Sequence, residues 1–306
     1  MKQILVTGGA GFIGSHTVDL LLQQGLHVVV FDNLSTGQLE RLDLKHPCLE
    51  FIHEDILNES AVAKMVARCD AVLHLAALAS VPQSIADPIQ SHRVNTLGFL
   101  HILQAIRQAK RMIRLVYASS AAVYGDSAPL PCAEDAPGNS NLLSPYALEK
   151  LHNEHYAALY AKLFDVRGLA LRYFNVYGLR QDPHSPYSGV ISRFLDAYRQ
   201  DQEITILGDG LQSRDFIHVA DVVRANYLAL QSDYSGVLNV ATGTPETLLN
   251  LVQYIEATGG KPAQLDFAVR REGDIYASYA ATEQAQRHLQ FRYSIPLAQG
   301  IGLLMK

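Results

Sequence analysis

The chain has no tryptophan, and its three cysteines (Cys48, Cys69, Cys132) are widely spaced with no C-x-x-C pair. That excludes a disulfide scaffold and a cysteine-based zinc site, and it is expected of a protein kept in the reducing cytoplasm. Lysine and arginine form no block and the formal net charge is −5, which argues against a nucleic-acid partner. No window approaches the ~18 uninterrupted apolar residues of a membrane span, and no basic-then-apolar leader stands at the start, so neither export nor membrane anchoring is expected. Repeats of fixed period and low-complexity tracts are also missing. What is present is ordinary globular composition, 48% hydrophobic and 18% charged over 306 residues. That length suits about two domains of ~150 residues, or one large α/β unit.

Short apolar runs at 4–7, 28–32, 50–53, 71–75, 115–119 and 169–173 alternate with helical periodicity at 12–24, 59–68, 89–109 and 146–163. This rhythm predicts an α/β fold, a Rossmann-like doubly wound parallel sheet covered on both faces. Beyond Tyr173 it degrades. A loop at 178–189 is followed by a helix at 190–199, a strand at 203–207, a strand at 215–219, a helix at 221–230 and a strand at 236–240. The rest suggests a smaller mixed α/β lobe. The expected division is a dinucleotide-binding domain of 1–175 with 215–242, and a substrate domain of 176–214 with 243–306, closely packed around a ligand cleft.

Residues 7–14 read Thr-Gly-Gly-Ala-Gly-Phe-Ile-Gly between the first strand and the first helix. Glycines there permit a tight turn and let the backbone approach a pyrophosphate, which the free N–H groups of the helix start then bind. Asp32 ends the second strand 18 residues after Gly14. Its carboxylate suits ribose hydroxyls and repels a 2′-phosphate, and no arginine follows it, so NAD is expected rather than NADP. Asp55-Ile56 follows the third strand, and Asp55 either reaches the adenine or caps a helix.

Tyr146-x-x-x-Lys150 places a phenol and an ammonium on one helical face. A neighbouring cation favours the phenolate, making Tyr146 a general base for a hydroxyl proton. With 15 tyrosines in the chain the spacing alone proves little; its place after the fifth strand gives it weight. Ser120 stands at the carboxyl end of that strand, where ligands gather, and can relay the proton. It lacks the Gly-x-Ser-x-Gly elbow of a serine hydrolase.

These motifs together resemble the extended short-chain dehydrogenase/reductases. Arg172-Tyr173-Phe174-Asn175-Val176-Tyr177-Gly178 and Ser213-Arg214-Asp215-Phe216-Ile217-His218-Val219 are similar to the nucleotide-sugar epimerase/dehydratase branch. The resemblance implies cofactor contacts from Gly8, Gly11, Phe12, Ile13, Gly14, Asp32, Asn33, Ser35, Thr36, Gly37, Asp55, Ile56, Leu75, Ala76, Ala77, Asn95, Tyr146, Lys150 and Tyr173. It makes Ser120, Tyr146 and Lys150 catalytic. For a UDP-sugar it implies Ser80, Ser120, Tyr146, Asn175, Arg214, Arg271, Asp274 and Ser278. Dehydratases and decarboxylases of the branch carry acids after the active-site hydroxyl, whereas Ala121 and Ala122 stand here. The chemistry left is C4 epimerisation by oxidation and re-reduction. At the gatekeeper position, seven residues after Arg271, Ser278 replaces the bulky tyrosine of glucose-restricted epimerases. That leaves room for an N-acetyl group and implies UDP-GlcNAc/UDP-GalNAc interconversion, with UDP-glucose or a UDP-uronate as other substrates. A non-catalytic NAD-sensing protein, the alternative from another class, would be expected to lose the tyrosine or the lysine.

Several polar residues have plainer readings. Ser80 either meets substrate or caps the helix before Pro82. His74 reads as a packed core histidine, and His152 with His155 lacks a third ligand, so no metal is expected. Asn95, unusual inside a helix, is favoured as functional. The helices at 89–109 and 146–163 are apolar on more than one face, and in the family the equivalent pair forms a four-helix-bundle homodimer.

Overall fold

A computed structural model describes residues 2–126, 128–136, 141–182, 189–270 and 275–306. Two compact units divide the chain: the first holds Met1–Val123, Ser144–Arg172 and Val223–Leu238, the second Tyr124–Leu143, Tyr173–Val222 and Asn239–Lys306. Residues 124–143, 173–175, 215–222 and 239–242 fall in the second unit, where the sequence reading had them in the first. For residues 124–143 the reason is local bonding. The Cys132 N–H donates to the Tyr279 carbonyl, and the Cys132 carbonyl accepts from Ala281 N–H at 2.9 Å and from the Asn239 amide at 2.9 Å.

The first unit begins with β1 (Gln3–Thr7), α1 (Phe12–Gln23), β2 (His27–Asp32), β3 (Leu49–His53), α2 (Glu59–Val66) and β4 (Ala71–His74). It continues with α3 (Val81–Ala86), α4 (Pro88–His92), α5 (Gly98–Gln108), β5 (Arg114–Ser120), α6 (Pro145–Phe164) and β6 (Gly168–Tyr173). The second unit contributes β7 (Asn175–Tyr177), α7 (Val190–Arg199), β8 (Ile204–Leu207), β9 (Ser213–Arg214) and β10 (Phe216–His218). Then follow α8 (Val219–Gln231), β11 (Gly236–Val240), β12 (Glu246–Thr247), α9 (Leu248–Gly259), β13 (Leu265–Ala268), β14 (Ala277–Ser278), α10 (Glu283–Leu289) and α11 (Leu297–Leu304).

The central sheet has seven strands in the order β11-β6-β5-β4-β1-β2-β3, and it is parallel. Its strands are apolar and β-branched because both faces are covered. Leu5, Val29, Phe31, Val72, Leu115 and Tyr117 pack against Val62 and Met65 of α2 and Phe99, Ile102, Leu103 and Ile106 of α5. The chain runs outward from β1 to β3, then returns to lay β4 on the other side of β1. That reversal opens a crevice outside the carboxyl ends of β1 and β4, where α/β sheets bind ligands.

The helix expected over 89–109 is broken. A single π-helical turn, Arg93–Leu97, separates α4 from α5 and contains Asn95. Such turns insert one residue into the helical ladder and are frequent at functional sites. Sequence periodicity misses it because the inserted residue shifts the helical phase without changing the composition, and the positions buried there, Ser91, Asn95 and Thr96, are polar.

In the second unit, Ile191, Phe194 and Leu195 of α7, Ile204 and Ile206 of β8, Leu251 and Ile255 of α9, and Ile301 of α11 form a separate core. Around it lie three small sheets, β10-β7, β12-β9-β14 and β13-β8. No helix among the described residues is long and apolar enough to cross a membrane.

Candidate active site

The turn after β1 meets the segment after β4 at the crevice. Gly8 has φ +70°, and a Cβ on it would lie 2.7 Å from the Ala76 nitrogen. A Cβ on Gly14 would lie 2.0 Å from the Gly8 carbonyl oxygen, so only glycine lets α1 start directly on the turn. Gly11 caps α1 without a side chain, and its first turn contains no acid. Its opening N–H groups and the positive end of its dipole are therefore left for an anion. Asp32 is buried at the end of β2, with Oδ2 accepting from Ala10 N–H at 3.0 Å and Oδ1 from Leu34 N–H at 2.8 Å. An ionised carboxylate has about four acceptor sites, so two remain for ribose hydroxyls. The residues present fit a dinucleotide.

Asn33 donates to Asp55 Oδ2 at 2.8 Å and accepts from Ser35 N–H at 3.0 Å, drawing the segments after β2 and β3 together. Asn58, not Asp55, caps α2, accepting from Ala61 N–H at 3.2 Å. Ser80 does cap α3, accepting from Gln83 N–H at 3.1 Å. His74 is fully buried, shares a 2.8 Å hydrogen bond with the Thr7 hydroxyl and packs on Phe99. Burial drives its pKa down to about 3, so it stays neutral.

Ser144 caps α6 and Pro145 opens it, which sets Tyr146 in the first helical turn. The Tyr146 N–H donates to Ser84 Oγ at 3.2 Å, and its phenol hydrogen-bonds Ser120. Lys150 is one turn on, with Nζ 5.7 Å from the Tyr146 ring centre and donating to the Ala118 carbonyl at 2.9 Å. The three expected catalytic residues are thus brought together. Ser119 is turned away and donates to Glu154 at 2.5 Å, which distinguishes the two adjacent serines.

Burial pushes the Tyr146 phenol up, the Ser120 hydrogen bond pulls it down, and Glu149 pushes it up. The net direction is upward, opposite to the sequence expectation, because desolvation of the phenolate outweighs that hydrogen bond. Burial lowers Lys150 to about 8, while Glu149 and Glu154 raise it. It is therefore mostly cationic at neutral pH.

Asn95 is buried in the π turn, and its side chain is engaged within the protein. Its oxygen accepts from Leu78 N–H at 2.8 Å, while its amide donates to the Leu78 carbonyl at 3.2 Å and to Glu149 Oε2 at 2.7 Å. Asn153 donates to the Asn95 carbonyl at 2.9 Å, so α6 grips the turn from two levels. Sequence reasoning missed Ser84, Ser91, Glu149, Asn153 and Glu154. The signal for three of them is in α6, whose buried positions Glu149, Lys150, Asn153 and Glu154 are polar where a packed helix is usually apolar.

In the second unit, β14 pairs with β9 so that Ser278 lies in register beside Arg214. The Asn175 amide and N–H both donate to the Asp215 carbonyl at 3.1 Å. Asp215 is fully buried and accepts from Thr242 N–H, the Thr242 hydroxyl, Gly243 N–H and Ala280 N–H at 2.7–3.2 Å. Tyr173 is buried at the end of β6. Arg271 and Asp274 lie outside the described residues.

Residues 4–241 match the NAD dependent epimerase/dehydratase family. The chain belongs to that family. NAD is its cofactor. The family's UDP-glucose 4-epimerase from Mycolicibacterium smegmatis is 36% identical over 303 residues, 97% of this chain and 96% of the relative. The structure of Thermotoga maritima UDP-glucose 4-epimerase with UDP-glucose superposes with a TM-score of 0.93 at 33% identity, covering 98% of this chain and 96% of that one. A UDP-N-acetylglucosamine 4-epimerase from Methanobrevibacter ruminantium, in complex with UDP-N-acetylmuramic acid, also gives 0.93, at 36% identity and 99% and 98% coverage. Among the described residues no three His, Cys, Asp or Glu form a metal-sized cluster.

Proposed function

We propose that the protein is a UDP-sugar 4-epimerase that interconverts UDP-GlcNAc and UDP-GalNAc and also accepts UDP-glucose and UDP-galactose. The hydrogen-bonded Ser120–Tyr146 pair beside Lys150, followed by Ala121 and Ala122 rather than acids, carries this reading. NAD, which the turn after β1 and the Asp32 carboxylate would hold, would supply the hydride acceptor and donor that oxidation and re-reduction at C4 require. Tyr146 takes the C4 hydroxyl proton, with Ser120 as relay, and gives it back in the second half. Lys150 holds a positive charge beside the phenol, and the start of α6 adds its positive dipole end; both oppose the upward push of burial. Asn175 and Arg214 are assigned to the diphosphate, together with Arg271, and Asp274 to the uridine ribose. Arginine suits that role because its planar fork donates charge-assisted pairs.

Ser278, in register with Arg214, supports the N-acetyl preference, since a hydroxymethyl group leaves the C2 substituent uncrowded. NMR should show the purified protein equilibrating UDP-GlcNAc with UDP-GalNAc without added NAD. Ser278→Tyr should lower kcat/KM for UDP-GlcNAc by about 100-fold, roughly 2.7 kcal/mol, and spare UDP-glucose. Equal activity of Ser278→Tyr on both sugars would remove the gatekeeper assignment.

We also propose a homodimer through α6 and α5. On α6 the solvent side is the apolar one, with Leu148, Leu159 and Leu163 each more than 40% exposed. A second copy of the chain would cover them, and Leu159→Glu should convert a dimer to a monomer in light scattering. A wild-type monomer at micromolar concentration would refute this.

A further inference from the structure

We infer that Glu149 is a positioning residue of the reaction centre: its buried carboxylate fixes the charge state around Tyr146 and Lys150, ties α6 to the segment after β4, and so sets the pH range in which the protein works. The inference rests on the proposed roles of Tyr146 and Lys150.

Glu149 is only 3% exposed, yet the hydrogen bonds it receives come from neutral groups, Ser91 Oγ and the Asn95 amide, each at 2.7 Å. A buried carboxylate served only by neutral donors has no adjacent charge to cancel its field, which acts on the titratable groups around it. The other buried carboxylate of α6, Glu154, has one: Arg172 donates to both its oxygens at 2.9 and 2.7 Å. None of the ion pairs among the described residues involves Glu149. The nearest positive charge in sequence is buried Lys150, and the negative charge of Glu149 favours its cationic form against the push of burial.

The remaining titratable groups around α6 leave that role open. His74 on β4 is neutral, and Tyr117 on β5 is held protonated by burial and Glu154. His92 and Arg93, on α4 and the π turn, are exposed to water. On α5, Arg107 lies over Phe164 at the far end of α6 and His101 is bonded to the Ile56 carbonyl, while Arg114 at the start of β5 donates to the Ala229 carbonyl. α3 carries no charged residue. The charges that matter to Tyr146 and Lys150 are each other, Glu149, and the self-neutralised Glu154–Arg172 pair.

The geometry links this charge to position as well. Through Asn95, the carboxylate reaches both polar groups of Leu78, in the segment that follows β4. Glu149 therefore joins the helix bearing the phenol to the chain that meets Gly8 in the cofactor turn.

Glu149→Gln keeps the size and removes the charge. Without it Lys150 loses its proton at lower pH, and Tyr146 ionises at lower pH. Both limbs of the kcat–pH profile should then move to acid by about one pH unit. Glu149→Asp, which retains the charge, should keep the wild-type position. A Glu149→Gln profile that does not move, or a Glu149→Asp profile that moves as far, would overturn the inference. If Glu149→Gln fails to fold, Glu149→Ser is an equally neutral variant that leaves space for water beside Asn95. Ultraviolet titration of tyrosinate, taken as the difference between each protein and its Tyr146→Phe counterpart, reads the same shift without substrate. If the wild-type chain itself turns over no UDP-sugar, the epimerase reading fails, while the titration still decides the role of Glu149.

Discussion

Tyr146→Phe is expected to lower kcat for UDP-sugar epimerisation by about 10³-fold while leaving the fold and NAD binding intact. The substitution deletes one oxygen. In the proposed mechanism that oxygen accepts the C4 hydroxyl proton, and a positioned general base contributes about 10²–10⁴-fold. The ring keeps its place because the Tyr146 N–H is anchored on Ser84 and the turn on the Ser144 cap. Equilibration of UDP-GlcNAc followed by NMR, with bound NAD measured after denaturation, separates chemistry from cofactor loss. A decrease of less than tenfold would mean that another group takes the proton. A large decrease with empty protein would move Tyr146 into the binding machinery.

Gly14→Ala should act on a different step. The added Cβ would sit 2.0 Å from the Gly8 carbonyl oxygen and 2.8 Å from the Gly9 Cα, both backbone atoms. No rotamer change relieves that clash, so α1 must move away from the turn after β1. Overpacking of this kind costs about 3 kcal/mol. If that strain falls on the NAD-binding geometry, affinity drops by about 100-fold. Gly11→Ala is the graded comparison, because its Cβ would stand 3.2 Å from the same oxygen. Calorimetric titration with NAD on both variants checks the order. Equal losses would show that the Gly14 contact is not the cause.

The parallel sheet was legible in the sequence because its strands are doubly covered, so β1, β2, β4 and β5 appear as short apolar runs bounded by glycine or polar residues. The cofactor turn was legible for a related reason: close backbone approach demands glycine at fixed spacings, and no other residue type can substitute. Glu149 and Asn153 were not, since a buried polar stripe on α6 has the same periodicity as a solvated one. Only the placement of Ser91 and Asn95, more than 50 residues away, shows which side of α6 is covered. The π turn escaped for a similar reason, because inserting a residue into a helix shifts its phase without altering composition. Short strands such as β9 and β14, two residues each, carry too little pattern to be read at all.

Asp215 has a consequence for how such proteins diversify. One carboxylate gathers Thr242, Gly243 and Ala280, and its own carbonyl holds Asn175, so four distant stretches of chain are fastened at a single point. Arg214 is its immediate neighbour and Ser278 precedes Ala280 by two residues. Changes of length in the loops between these stretches leave these anchors in place, whereas loss of the Asp215 carboxylate would release the Thr242–Gly243 and Ala280 stretches together, the second of them beside Ser278.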